Sequence, residues 1–281
     1  MKKPVRLYLS SILLAASSAS AESYVVGVEN LPRYAPHFYF DDDGQYRGFA
    51  RELLDAFAAD SGVTLQYRAL APVQLIEALR EGKIDFKYPD SPHWAVDEKA
   101  GLNMHYSLPV VAYVDGVLVA PKRQGMKLDD VRQLAMVEGW TPRGYEEHIA
   151  SGQIRVNYSN DLRQMIRQAL KKDVDGAYFN VVVATHYLDN VRASPGALVF
   201  DPALPHVRGS FHLSSRRHPE VISRFDHFLQ EKEAEVLALK QRHRVESNLD
   251  SEYMGLEQWK VDFLERQKAR AEAREANLES R

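Results

Sequence analysis

A short apolar run followed by apolar residues at helical spacing recurs along this chain, first over residues 24–86 and afresh over 134–188. That alternation leaves few folds open, because such strands are buried by helices on both faces of a mostly parallel sheet. The first round begins with residues 24–28, an apolar run that reads as a buried strand. Residues 38–40 then run into Asp41, Asp42, Asp43 and Gly44, a strand turned by Asp-Gly. Phe49, Leu53, Leu54 and Phe57 mark a helix that Gly62 ends. Residues 63–67 follow as a strand, Leu75, Ile76 and Leu79 as a short helix, and residues 84–86 as the start of a third strand.

An apolar stretch over residues 110–120, interrupted by Asp115 and Gly116, separates the two rounds. The second round predicts strands at 134–137, 154–156 and 177–179, with helices near 143–149, over 162–170 and over 181–188. A last strand at 210–213 leads into one long amphipathic helix carrying Val221, Ile222, Phe225, Phe228, Leu229, Val236 and Leu239. Leu256, Trp259, Phe263 and Leu264 are spaced to dock one face of a further helix. Residues 265–281, with nine charged residues in 17, form a solvated tail.

The start of the chain sets the compartment. Lys2, Lys3 and Arg6 precede a short apolar run, and Ala19-Ser20-Ala21 forms a small-x-small cleavage signal before Glu22. Residues 1–21 therefore read as a signal peptide, and the mature protein is expected in the periplasm. The run is well short of the ~20 residues that span a bilayer, so the chain is not expected to be membrane-embedded. With no cysteine there is neither a lipid attachment point nor a disulfide. The whole chain holds 39 acidic and 36 basic residues, three of the latter in the leader, a mild acidic excess that excludes nucleic acid as the partner.

Catalytic signatures are missing. There is no Gly-x-Ser-x-Gly elbow, no His-Glu-x-x-His zinc helix, no phosphate-binding glycine loop and no cysteine nucleophile. Neither catalytic residues, nor a metal, nor a cofactor is expected. A binding site is still implied, because open parallel α/β sheets take ligands at the carboxyl ends of their strands, where helix N-termini point. The loops after the strands supply Arg33 and Tyr34; Tyr88, Ser91 and Trp94; Trp140, Thr141 and Arg143; and Asn180. Tyr34, Tyr88, Trp94 and Trp140 offer stacking walls, although each also suits core packing. Thr141, followed by Pro142, sits at a helix start, as an anion cradle or as a plain N-cap. Lys87 falls inside an apolar strand, where it must either pair with a carboxylate such as Asp90 or face an acidic ligand.

The order of local patterns resembles the family 3 extracellular solute-binding proteins, which feed polar amino acids to ABC importers. Tyr34-Ala35-Pro36 with Phe38 is similar to the family's first loop, and Gly48-Phe49 leading to Glu52-Leu53 to the start of its first long helix. Leu79 with Gly82-Lys83-Ile84-Asp85, and Tyr106-Ser107 with Pro109, resemble two later turns. In the second half, residues 137–141 and 174–177 carry the likeness, which spans roughly residues 24–246 in all. The resemblance implies a two-lobed α/β fold of periplasmic-binding-protein type II, with a C-terminal helical extension. Lobe 1 would be 22–113 plus 209–247, lobe 2 would be 114–208, and the extension 248–281. The crossings between lobes fall near Val114 and Arg208.

The resemblance also implies a monomer that closes on a small molecule and hands it to an ABC permease. A soluble sensor presenting its bound state to a membrane receptor is the alternative, and the charged tail favours it. Two departures bear on the ligand. Where the family places a carboxylate-clamping arginine, the segment ends in Lys99, a point charge without the two-pronged fork. Where it places an aspartate for the ammonium, this chain has Asn180. The ligand expected is a small polar or anionic metabolite, amino-acid-like or an organic acid.

Overall fold

The computed structural model describes residues 22–247, 249 and 258–279. The signal-peptide segment, residues 1–21, lies outside them, as does Leu256. The first half contains β1 (Ser23–Glu29), β2 (Arg33–Tyr34), β3 (Phe38–Phe40), β4 (Tyr46–Arg47), α1 (Phe49–Ser61), β5 (Thr64–Leu70), α2 (Pro72–Arg80), β6 (Phe86–Asp90), α3 (Val96–Lys99) and β7 (His105–Tyr106). Next comes β8 (Val111–Val119), followed by β9 (Gln133–Met136), α4 (Glu146–Ala150), β10 (Arg155–Tyr158), α5 (Leu162–Lys171), β11 (Gly176–Asn180), α6 (Val181–His186) and β12 (Val199–Phe200). The chain returns through β13 (Val207–Ser215), α7 (Pro219–Glu231) and α8 (Glu233–His243), and α9 (Gln258–Glu279) lies beyond.

One curled sheet runs through the molecule in the order β10-β9-β11-β8-β13-β6-β1-β5. At one end β1 pairs in parallel with β5 and β6, and at the other β9 pairs in parallel with β10 and β11. The middle is antiparallel. There β8 and β13 lie side by side, Val114 opposite Arg208, and each also pairs with one half of the sheet. These two strands are the only part of the described sheet common to both halves, so motion of one half against the other must bend them.

Local chemistry explains the elements. Phe49, Leu53, Leu54 and Phe57 put the buried face of α1 on the sheet. Gly62 closes that helix in the left-handed conformation (φ 68°), its N–H donating to the Ala58 carbonyl. In α5, Leu162, Met165, Ile166 and Ala169 are buried, and Asp161 caps the helix by accepting from the Arg163 N–H at 2.9 Å.

Four expectations need correction. Thr141 and Pro142 do not open a helix, because the chain turns there and α4 begins only at Glu146. Asp115 and Gly116 do not interrupt the apolar stretch, because β8 runs straight through them. The single long helix after β13 is two, broken at Lys232, because α8 has turned to bury little beyond Val236. In α9, Val261 is buried while Phe263 is 47% exposed, so Phe263 does not dock.

The return of the C-terminal segment to the first half rests on aromatic packing. Phe57 of α1 meets Phe225 and Phe228 of α7 edge-on, with ring centres 5.0 and 5.7 Å apart. Phe225→Ala is expected to destabilise the protein by about 3–5 kcal/mol in urea denaturation, the usual cost of emptying a buried aromatic site.

Candidate functional site

The carboxyl ends of β1, β6 and β9 meet β8 around a cavity with about 540 Å³ of empty space, part of it open to the surface. Each half contributes walls. From the first come Glu29 at the end of β1, Tyr34 on β2, Pro72 and Ile76 on α2, and Lys87, Asp90, Trp94 and Ala95 on and after β6. Asp115 comes from β8, and Gly139, Trp140 and Thr141 from the loop after β9.

The halves touch across this space. Thr141 Oγ1 accepts a hydrogen bond from the Ala95 N–H at 3.2 Å, and Arg33 pairs with Asp161 at 3.4 Å. The Tyr34 ring meets Trp140 edge-on at 5.9 Å and Phe179 at 5.7 Å. Gly139, at φ 84°, lies so close to the start of α2 that a β-carbon there would sit 2.7 Å from Val73 Cγ1 and 2.9 Å from the Val73 nitrogen. Only glycine suits both that backbone and that contact.

Asp90 is wholly buried and gathers three partners. Lys87 and Lys99 donate to Oδ1 at 2.9 and 2.8 Å, and the Ser214 hydroxyl of β13 donates to Oδ2 at 2.6 Å. Burial alone would raise its pKa, but the two ammonium groups and the hydrogen bonds outweigh that and hold it below the usual carboxylate range. Lys87 donates also to the Pro89 carbonyl at 2.7 Å, and its Nζ lies 5.3 Å from the centre of the Trp94 ring.

Glu29 and Asp115 have no such company. Burial pushes the Glu29 carboxyl up to about 7, against the pull of Lys87 and the Trp140 indole. Burial and the Glu29 charge push Asp115 up to about 7 as well, against Arg143. Asp115 Oδ1 is buried with no hydrogen-bond partner, as is Nδ2 of Asn180, its neighbour across the β8–β11 ladder.

Of the residues predicted for binding, Tyr34, Trp94, Trp140 and Thr141 line the cavity. The others are engaged elsewhere. Tyr88 turns away from Lys87 along β6 and is buried in the core. Ser91 gives its carbonyl to Lys99 at 2.8 Å, and Lys99 is drawn inward onto Asp90 rather than outward as a clamp. Asn180 caps α6, its Oδ1 accepting from the Val183 N–H at 3.0 Å. Arg143 donates to the Tyr113 hydroxyl at 3.3 Å, and Arg33 is held by Asp161. Lys87 pairs with Asp90, the first of the two roles considered for it, and it also lines the cavity.

Sequence reasoning passed over Glu29, Asp90 as a hub, and Asp115. The signal was there: a carboxylate closing the first buried strand, and another inside an eleven-residue apolar stretch. Neither position tolerates a charge without a structural or binding reason.

Two α/β halves joined by shared strands, with a polar cavity walled by both, define the two-lobed binding-protein class. More narrowly, residues 24–235 match the bacterial extracellular solute-binding proteins, family 3, and the chain belongs to that family. No curated protein matches it in sequence.

Among solved structures it is similar to the arginine-, lysine-, histidine-binding protein ArtJ from Geobacillus stearothermophilus. The TM-score is 0.63 at 18% identity, over 79% of this chain and 95% of that one. It is also similar to a substrate-binding protein of an ABC uptake transporter from Streptococcus pneumoniae, solved with bound histidine (TM-score 0.63, 19% identity, 79% and 92% covered). A third is a histidine kinase sensor domain with similarity to periplasmic binding proteins, at TM-score 0.64 and 17% identity, with 79% and 96% covered. At these identities the likeness is one of fold.

The two site chemistries give opposite pH responses. Glu29 and Asp115 have folded pKa values above their unfolded values near 4, so their contribution to stability is complete below about pH 4 and is lost as pH rises through 7. The melting temperature of the ligand-free protein is expected to fall between pH 5.5 and pH 8, and Glu29→Gln to shrink that fall. Asp90 is the reverse case, and Asp90→Asn strands two buried lysines. We expect a loss of about 3–5 kcal/mol in denaturant titration, the usual effect of breaking a buried pair.

Proposed function

We propose that this chain is a periplasmic capture protein that closes its two halves over a small polar metabolite and delivers it to an ABC importer. The observation that carries the reading is the cavity itself: its walls come from both halves, and those halves touch across it. A solute that touches both walls stabilises the closed arrangement by its extra contacts there, which is what hinge closure requires. Family membership supports capture, and two of the similar structures are amino-acid-binding proteins by their own titles. We take residues 1–21 as the export signal, 22–113 with 209–247 as one lobe, and 114–208 as the other.

A sensing role is the second reading. It is favoured by the likeness to a histidine kinase sensor domain and by α9, a charged helix beyond the two lobes. Affinity capture from membranes separates the two, a permease being retained in the first case and a receptor in the second.

Closure has a direct test. In small-angle scattering the ligand-free protein is expected to compact when a pool of small metabolites is added. Gly139→Ala, which sets a methyl group against Val73, is expected to abolish the compaction and to weaken capture by at least tenfold. The melting temperature of the free protein should move by only a few degrees. Compaction that persists in the variant, or its absence in the natural chain with every pool, would refute capture by closure.

A further inference from the structure

The balance of charge inside the cavity identifies the ligand more narrowly. Lys87 is the one cation among the described lining residues, against the carboxylates Glu29, Asp90 and Asp115. Lys99, behind the wall, adds a second positive charge through Asp90. These five groups sum to one negative charge when all are ionised, and nothing inside the cavity offsets it. Arg143 pulls on Asp115 but is half-buried and absent from the lining, and the hydroxyls of Tyr34 and Tyr113 are uncharged.

An anionic group would find few donors here. Lys99 spends two of its three N–H bonds on Asp90 and the Ser91 carbonyl, and Lys87 two of its three on Asp90 and the Pro89 carbonyl. The Ala95 N–H is given to Thr141. A carboxylate entering the cavity would instead meet three of its own kind. A positive nitrogen meets two carboxylates without ion-pair partners and the aromatic walls Tyr34, Trp94 and Trp140, surfaces that attract cations. Lys87 over the Trp94 ring already demonstrates that contact.

We propose that the solute is a small amine or guanidine without an α-carboxylate, its charged nitrogen held between Glu29 and Asp115, and that its capture releases one proton. The inference rests on the capture reading and narrows it. In the empty cleft a proton on the Glu29–Asp115 pair offsets the surplus negative charge, and in the loaded cleft the ligand does so. Binding therefore strengthens as pH rises, by up to ~tenfold per unit while the pair still holds its proton, and levels off above about 8.

Calorimetry with matched probes tests this: agmatine against arginine, cadaverine against lysine, and glutarate as the anion, at pH 6 and pH 8 in buffers of different ionisation enthalpy. Agmatine or cadaverine is expected to bind at least tenfold tighter than its parent amino acid, with close to one proton released and glutarate silent. Glu29→Gln and Asp115→Asn should each weaken that binding at least tenfold at pH 8 without lowering the melting temperature of the free protein. Tighter binding of an amino acid or of glutarate, an affinity indifferent to both substitutions, or failure of both amines overturns the proposal. Scattering with a mixed metabolite pool tells this failure from the larger one. Compaction there, with the amines inert, rejects the ligand class alone, whereas no compaction at all rejects capture too.

Discussion

Asp90 has no contact with solvent, and two ammonium groups and a hydroxyl from three different elements converge on its two oxygens. Lys87 shares its strand, Lys99 ends α3, and Ser214 lies on β13. The cluster thus ties the loop that carries Trp94 and Ala95 to the strand that passes between the halves. Any one of these charges alone would be expelled from such a site or neutralised by a proton. Together they are tolerated, and they set the position of the wall against which a ligand must lie. The arrangement also removes Lys99 from ligand chemistry, since a side chain locked onto Asp90 cannot reach for an anion.

What remains in the cavity is a polar surface with an unmatched sign. Glu29 and Asp115 end on the cavity from β1 and from the shared strand β8, so one is fixed to the first half and the other to the strands about which the halves move. In a low-dielectric cleft their mutual repulsion is felt more strongly than at the surface. Trp140 brings an indole from the second half to Glu29, so the ionisation of that carboxylate depends on contact between the halves.

The fold was largely legible in the sequence, because it follows from periodicity. The unbroken apolar runs of residues 24–28 and 177–179, and the period of 3.6 in α1 and α5, are written in apolar residues whose burial the sheet demands. What escaped was tertiary. The break at Lys232 depends on where α8 packs, and no local residue announces it. Asp115 read as an interruption of the apolar stretch because aspartate beside glycine ends strands more often than it continues them. The site was half legible. Loops at strand ends do border the cavity, and aromatic residues there line it. The basic residues were less legible, because a lysine or arginine near a cleft signals an anion only when nothing inside the protein already holds it. Lys99, Arg143 and Arg33 all have such partners, and those of Arg143 and Arg33, 30 and 128 residues away, cannot be read from spacing.

The same charges bear on the motion as well as on the ligand. Opening the halves admits water to Glu29 and Asp115 and relieves the cost of keeping them ionised, whereas closing without a cation buries their repulsion. On the proposed reading, the charge of an amine takes the place of the proton on that pair as the halves close over it. Selectivity and closure would then share one origin under that proposal, since a solute of the wrong sign could not offset the charge that closing buries.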